Sequence, residues 1–139
     1  MSEATDVVLE VFQAIETRDA ESLLALFHPQ VEFHEAPSLP YGGTTRGKGE
    51  IAGGWLETWG PLQPTEAERR MDPRVIATSG QEVVVLYRQR AIDPAGERFD
   101  APVVCVYEVR DGLFARAQMF HYDTAAVVDF LARAQLRAA

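Results

Sequence analysis

The residues best suited to chemistry cluster between Val31 and Gly47, in the stretch VEFHEAPSLPYGGTTRG. It opens with the alternation Val31, Glu32, Phe33, His34, Glu35, the period of a half-buried strand. Glu35 therefore shares a face with the core-like Val31 and Phe33, and His34 points the other way. If a pocket raises its pKa toward neutrality, a carboxyl there is fit to take a proton from beside a carbonyl. The competing reading is a strand-end glutamate in water. His34 reads as a rim or surface residue, unless a bulge before Ala36-Pro37 exchanges the two. In the Pro/Gly-rich loop that follows, Tyr41 is placed to donate a hydrogen bond to a substrate oxygen. Arg46 is placed to pair with a carboxylate, Glu35 included, or to brace the loop.

A second group lies near the end of the chain. Ala115, Ala117, Met119 and His121 alternate with Phe114, Arg116, Gln118, Phe120 and Tyr122, so His121 and Met119 share a face with small residues. Histidine near its ordinary pKa serves as acid, base or hydrogen-bond donor; the alternative is a satisfied buried or interface histidine. Asp123 either faces the same side as His121 or caps the final helix. Trp55, Trp59 and Tyr107 read as the walls of an aromatic pocket or as ordinary core. Cys105 stands in an apolar strand, where burial raises a thiol pKa, so it lines a pocket rather than attacking a substrate. Arg88 and Arg90 alternate with Tyr87 and Gln89; one pair faces inward, and which one stays open.

Other chemistries lack their templates. The chain has no GxSxG, no Gly-rich phosphate loop and no HExxH. A single cysteine excludes an internal disulfide and a thiolate zinc site. His28, His34 and His121 share no ligand spacing, so neither a metal nor a cofactor is expected. Over 139 residues, hydrophobic residues make up 47% and charged ones 24%, which fits one folded domain with a core. A net charge of −8 argues against a nucleic-acid surface. No apolar run approaches a membrane span, and the start MSEATDVVLE lacks the basic and apolar regions of a secretory signal. These features lead to the expectation of a soluble, cytoplasmic protein.

The elements that must position these residues follow from periodicity. Val8, Val11, Phe12 and Ile15 predict a helix over 5–18 with Thr5 as cap, and Asp19 caps a second helix carrying Leu23, Leu24 and Phe27. His28-Pro29 ends it. Ile51, Trp55 and Trp59 predict a third helix, closed by Gly60-Pro61. Thr65 to Thr78 reads as a bulged or edge strand. Strands are then predicted over 82–92, 99–110 and 113–122, joined by the turns Asp93-Pro94-Ala95-Gly96 and Asp111-Gly112. Val127, Phe130, Leu131 and Ala134 mark a closing helix. Strands joined in sequence by hairpins predict an antiparallel sheet and an α+β class. Helices cover one sheet face; Val104, Val106, Phe120 and Tyr122 on the other predict a homodimer.

Three segments carry a family resemblance: ETRDAESLLALFHPQVEFHEAP, LPYGGTTRGKGEI and VYEVRDGLFARAQMFHYDT. In order and spacing they resemble the nuclear transport factor 2-like superfamily, in particular its SnoaL-like and ketosteroid isomerase-like members, over nearly the whole chain as one domain, 1–139. The resemblance implies a cone-shaped, curved antiparallel sheet wrapped around N-terminal helices, with a mostly apolar pocket at the open end. It aligns Glu35 with the isomerases' general base and puts His121 on the pocket wall. It also aligns Val11 and Cys105 with the positions of their oxyanion donors, which neither residue can replace. Phe33, Arg46, Trp55, Trp59, Tyr107 and Met119 complete the expected binding surface. The expectation is cofactor-independent acid–base chemistry on an apolar, oxygenated small molecule: isomerisation, polyketide-type cyclisation or dehydration. Glu35 is the base, with His121, Tyr41 and Asp123 as further catalytic candidates. The alternatives are a non-catalytic small-molecule-binding or dimeric interaction module, and an epoxide hydrolase-type activity that needs an inward arginine.

Overall fold

Val8, Val11 and Phe12, at helical spacing, are all buried and seat the first helix, α1 (Glu3–Glu16), on the inner face of the sheet. The computed structural model describes residues 3–138. Phe12 stands edge-on to Tyr87 and Tyr107, with ring centroids 5.2 and 5.7 Å away. Burial of such a side chain is worth about 2–3 kcal/mol. The helix starts ahead of Thr5, which is buried inside it and is not its cap. Asp19 does cap α2 (Ala20–Leu26), accepting from the Ser22 N–H at 3.1 Å.

The strand after α2, β1 (Phe27–Glu35), begins four residues earlier than its alternation suggests, because Phe27 is already fully buried in sheet register. A short strand, β2 (Gly43–Arg46), follows where an irregular loop was expected. It pairs antiparallel with β1, Glu32 opposite Arg46 and Glu35 opposite Gly43. The return is tight: a Cβ on Gly42 would lie 2.2 Å from the Ala36 carbonyl oxygen, so only glycine fits there. Helix α3 (Lys48–Trp59) and a 3₁₀ turn (Gly60–Leu62) come next.

The segment from Thr65 to Thr78 holds a short helix, α4 (Glu66–Arg69), before the edge strand β3 (Arg74–Ser79). Thr65 and Glu68 form a capping box, a signal present in the sequence as Thr-Glu-Ala-Glu. The expected bulge lies between Val75 and Ala77. The long strands β4 (Glu82–Ile92), β5 (Arg98–Arg110) and β6 (Leu113–His121) fall almost where they were predicted. Asp93 shapes the β4–β5 turn by accepting from the Ala95 and Glu97 N–H groups. Asp111 and Gly112, both at positive φ, make the tight β5–β6 turn. Helix α5 (Thr124–Ala138) closes the described chain.

The curved sheet runs β2-β1-β6-β5-β4-β3. It is mixed, not wholly antiparallel, because β1 pairs parallel with β6. Hairpin turns dictate direction only for strands they join directly, and β1 and β6 are separated by most of the chain. A bulge between Glu108 and Val109 also moves Phe114 from the outer to the buried side, next to Ala115.

Two apolar clusters fill the inner face. One gathers α1 with Phe27, Val31, Val83, Val85, Tyr87, Val103, Cys105, Tyr107 and Phe114. The other gathers Leu39, Trp59, Leu62 and Ala91 under Val127, Phe130 and Leu131 of α5. No helix among the described residues is long and apolar enough to cross a membrane.

Candidate functional site

Polar groups without protein partners collect at the seam between the two clusters. Along β1, Phe33 belongs to the first cluster and Ala36 to the second, with Glu35 between them. Along β4, Gln89 separates Tyr87 of the first from Ala91 of the second. On β6, His121 follows Met119, which packs on the first. Glu35 Oε1, Gln89 Nε2 and both ring nitrogens of His121 are the buried side-chain polar atoms that lack a hydrogen-bond partner among the described residues. Buried polar groups are normally paired, so these three residues are the candidates for contact with a ligand.

Burial alone pushes the Glu35 carboxyl up to about 7, as expected for a carboxylate with no protein donor to stabilise its charge. Burial also raises the Tyr41, Tyr87 and Tyr107 hydroxyls and the Cys105 thiol, and the Glu35 charge adds to each, so all four stay protonated. Burial lowers the His121 pKa below its ordinary 6.5, leaving a neutral imidazole near pH 7. Tyr41 accepts from Trp59 Nε1 at 3.1 Å, which leaves its own hydroxyl proton free to donate.

Beside this seam lies an apolar cavity of about 100 Å³. Its lining includes Val11, Phe33, Trp55, Tyr107 and Met119, five of the expected binding residues, together with Phe12, Phe27, Tyr87 and Phe114. Glu35 and His121 stand one pleat beyond it, each two residues after a lining residue on the same strand face. Trp59 and Cys105 are buried outside the lining, Trp59 in the second cluster and Cys105 in the first.

Arg46 departs from its expected place. Its register opposite Glu32 sets it on the outer face, where its guanidinium pairs with Glu32 at 3.3 Å, not with Glu35. His34 shares that face, bound to Glu32 at 2.9 Å and Thr44 at 3.1 Å, so no bulge exchanges it with Glu35. Asp123 is exposed, and its carboxylate accepts from the Ala126 N–H at 3.1 Å as the cap of α5; it is not part of the cavity lining. The open question on β4 is resolved by burial. Tyr87 and Gln89 face inward, while Arg88 and Arg90 lie outside, paired with Asp100 and Asp72. Asp100 directly opposite Arg90 was the available signal, since two such charges on one face of a hairpin satisfy each other outside the core.

The sequence matches the SnoaL-like domain model over residues 8–117. The chain belongs to the SnoaL-like family. Solved structures with similar folds accompany that match. TerC, crystallised with polyporic acid, is 23% identical, covers 94% of this chain and 99% of its own, and superposes with a TM-score of 0.78. A nuclear transport factor 2-like protein from Burkholderia pseudomallei has the same identity and TM-score, with 94% and 98% covered. A candidate polyketide cyclase from Xanthomonas campestris is 20% identical, with 93% and 96% covered and a TM-score of 0.71. Comparison with curated proteins finds no match. In this SnoaL-like chain the buried side-chain polar atoms without a partner among the described residues lie at Glu35, Gln89 and His121.

Proposed function

We propose that this protein is a cofactor-independent enzyme that moves a proton on an apolar, oxygenated small molecule. The observation that carries the proposal is Glu35: a half-buried carboxyl with a pKa near 7, its buried Oε1 without a partner among the described residues, beside an apolar cavity. Ionised Glu35 takes a proton from the carbon beside a carbonyl, and the electron pair moves to the carbonyl oxygen as an enolate. The Tyr41 hydroxyl, the Gln89 amide and neutral His121 are the donors for that oxygen. Returning the proton to another carbon is isomerisation. Attack of the enolate carbon on a second carbonyl, with the proton delivered to the new alkoxide, is aldol-type cyclisation. Loss of a neighbouring hydroxide with that proton is dehydration. Met119, unbranched and adaptable, is the part of the wall that can move to bring the cavity to Glu35.

Neighbours crystallised with polyporic acid or described as a candidate polyketide cyclase support a small-molecule ligand. The test is deuterium uptake in heavy water at the α-carbon of a panel of apolar cyclic ketones and 1,3-diketones. Glu35→Gln is expected to slow exchange by about 10²–10⁴-fold. Equal rates in variant and wild type would remove the base.

One observation favours a second reading, a non-catalytic binding module of the same fold. The cavity ends at Phe33 and Met119, short of Glu35, and Val11 and Cys105 have no donor to offer. Binding of the panel with no exchange at any pH would decide for it. An epoxide hydrolase-type site gets no support from β4, because Arg88 and Arg90 lie outside the pocket in ion pairs. Homodimerisation through the outer sheet face belongs to the proposal, supported by exposed Val104, Phe120 and Tyr122.

A further inference from the structure

Among the described residues lining the apolar cavity, Arg18 is the single charged one. It follows α1 in a left-handed conformation, φ 58°, which turns its side chain back along the cavity edge. Its guanidinium lies 4.8 Å from the centre of the Trp55 ring. It donates to the Ile15 carbonyl at 2.7 Å and to Gln63 Oε1 at 2.5 Å. Gln63 is itself only 3% exposed and holds a second arginine, its carbonyl oxygen accepting from Arg69 Nε at 3.0 Å.

Neither guanidinium has a carboxylate within ion-pair distance among the described residues. Three acids near them in the chain are engaged elsewhere: Glu16 accepts from the Met71 N–H, Asp19 from Ser22, and Glu68 from Thr65 and Arg98. Burial and then the charge of Arg69 lower the Arg18 pKa. Two like charges held together without a counter-ion are costly, and they are unexpected in a chain with net charge −8. Arg18 braces the end of α1 through Ile15, and Arg69 braces the backbone of Gln63 and Pro64 at 3.0 and 3.3 Å, but none of these bonds supplies a counter-charge.

We propose that Arg18, backed by Arg69, is an anion-recognition site at the edge of the cavity, so that the ligand is an amphiphile with an apolar body and a carboxylate or comparable oxyanion at one end. The inference rests on the reading of this cavity as the ligand site, and it holds for a catalytic or a purely binding role. It also orients the ligand. Arg18 lines the cavity beside Ile15, Gln63 and Trp55, whereas Glu35 stands beyond its Phe33 and Met119 wall, so the anionic end sits away from the proposed base.

The test compares two fluorescent probes of nearly the same shape, anilinonaphthalene sulfonate and neutral N-phenyl-naphthylamine. Wild type is expected to bind the sulfonate more tightly, by about tenfold, the scale of a charge-assisted contact. Arg18→Gln should abolish that preference while leaving the neutral probe's affinity in place; Arg18→Lys should keep part of it, and Arg69→Gln should reduce it. Retained affinity for the neutral probe certifies that the cavity of each variant is folded. Glu35→Gln should leave the preference unchanged, which separates this site from the proposed proton transfer. A wild-type protein indifferent to the sulfonate, one that binds neither probe, or an Arg18→Gln variant with the preference intact would overturn the proposal.

Discussion

Glu35 gives folding a pH dependence opposite in sign to that of a salt-bridged carboxylate. Its folded pKa near 7 lies above the ordinary 4.5, so between those values the folded state holds more protons than the unfolded one. Stability therefore falls as pH rises through that window. The contribution of the buried neutral acid is fully present below 4.5 and is lost above 7, a change on the order of 3 kcal/mol. His121 acts the other way: its lowered pKa makes stability rise with pH just below 6.5. Subtracting one protein from another isolates the carboxyl. In urea unfolding from pH 5 to pH 8, Glu35→Gln should gain on wild type as pH rises, and parallel profiles would show that Glu35 ionises freely. At this scale the sequence was informative about Glu35, whose alternation with Val31 and Phe33 sets its face. Alternation alone was silent on Gln89, since Tyr87-Arg88-Gln89-Arg90 alternates equally well in either direction, and the one signal was Asp100 opposite Arg90.

Among the elements, α5 decides what Asp123 does. Its carboxylate accepts from the Ala126 N–H in the geometry of an N-cap and stays exposed. Asp123→Ala should lower stability by about 1 kcal/mol and leave α-proton exchange at the wild-type rate. A loss of exchange larger than the loss of folded protein would return Asp123 to the chemistry. Strongly periodic elements such as β4, with its alternating buried valines, were legible because one face must meet the core. The short ones were not. Four residues in β2, Gly43-Thr44-Thr45-Arg46, carry no apolar alternation, and their pairing is imposed by β1 and the Gly42 return. Helix α4 had a local signal in its capping box but sat inside a segment whose Asp72-Pro73 suggested an edge strand. The parallel β1–β6 pair has no local signal at all, because it joins positions that only the folded sheet brings together.

For the whole molecule, the sheet has two unlike faces. The inner one packs against α1 and carries the cavity and the polar seam, with Arg18 at the cavity edge after α1. The outer one leaves Phe120 at 52% exposure, Tyr122 at 83% and Val104 at 36%, with Val104 directly opposite Phe120 across β5 and β6. An adjoining apolar group of this kind on strands that already have both neighbours is not an edge defect, and a second copy supplies a surface of the same shape and hydrophobicity. Charge works against association, since each chain carries −8, so the contact must be apolar and should tighten with added salt. Light scattering at micromolar concentration should give about twice the 15.4 kDa chain mass. Phe120→Glu should return it to the single-chain value, because an unpaired carboxylate would be buried at the contact. The probes that read the cavity should bind this variant as they bind wild type, since Phe120 faces away from it. A wild-type protein that scatters as a monomer at that concentration would leave the outer face without a partner of its own kind.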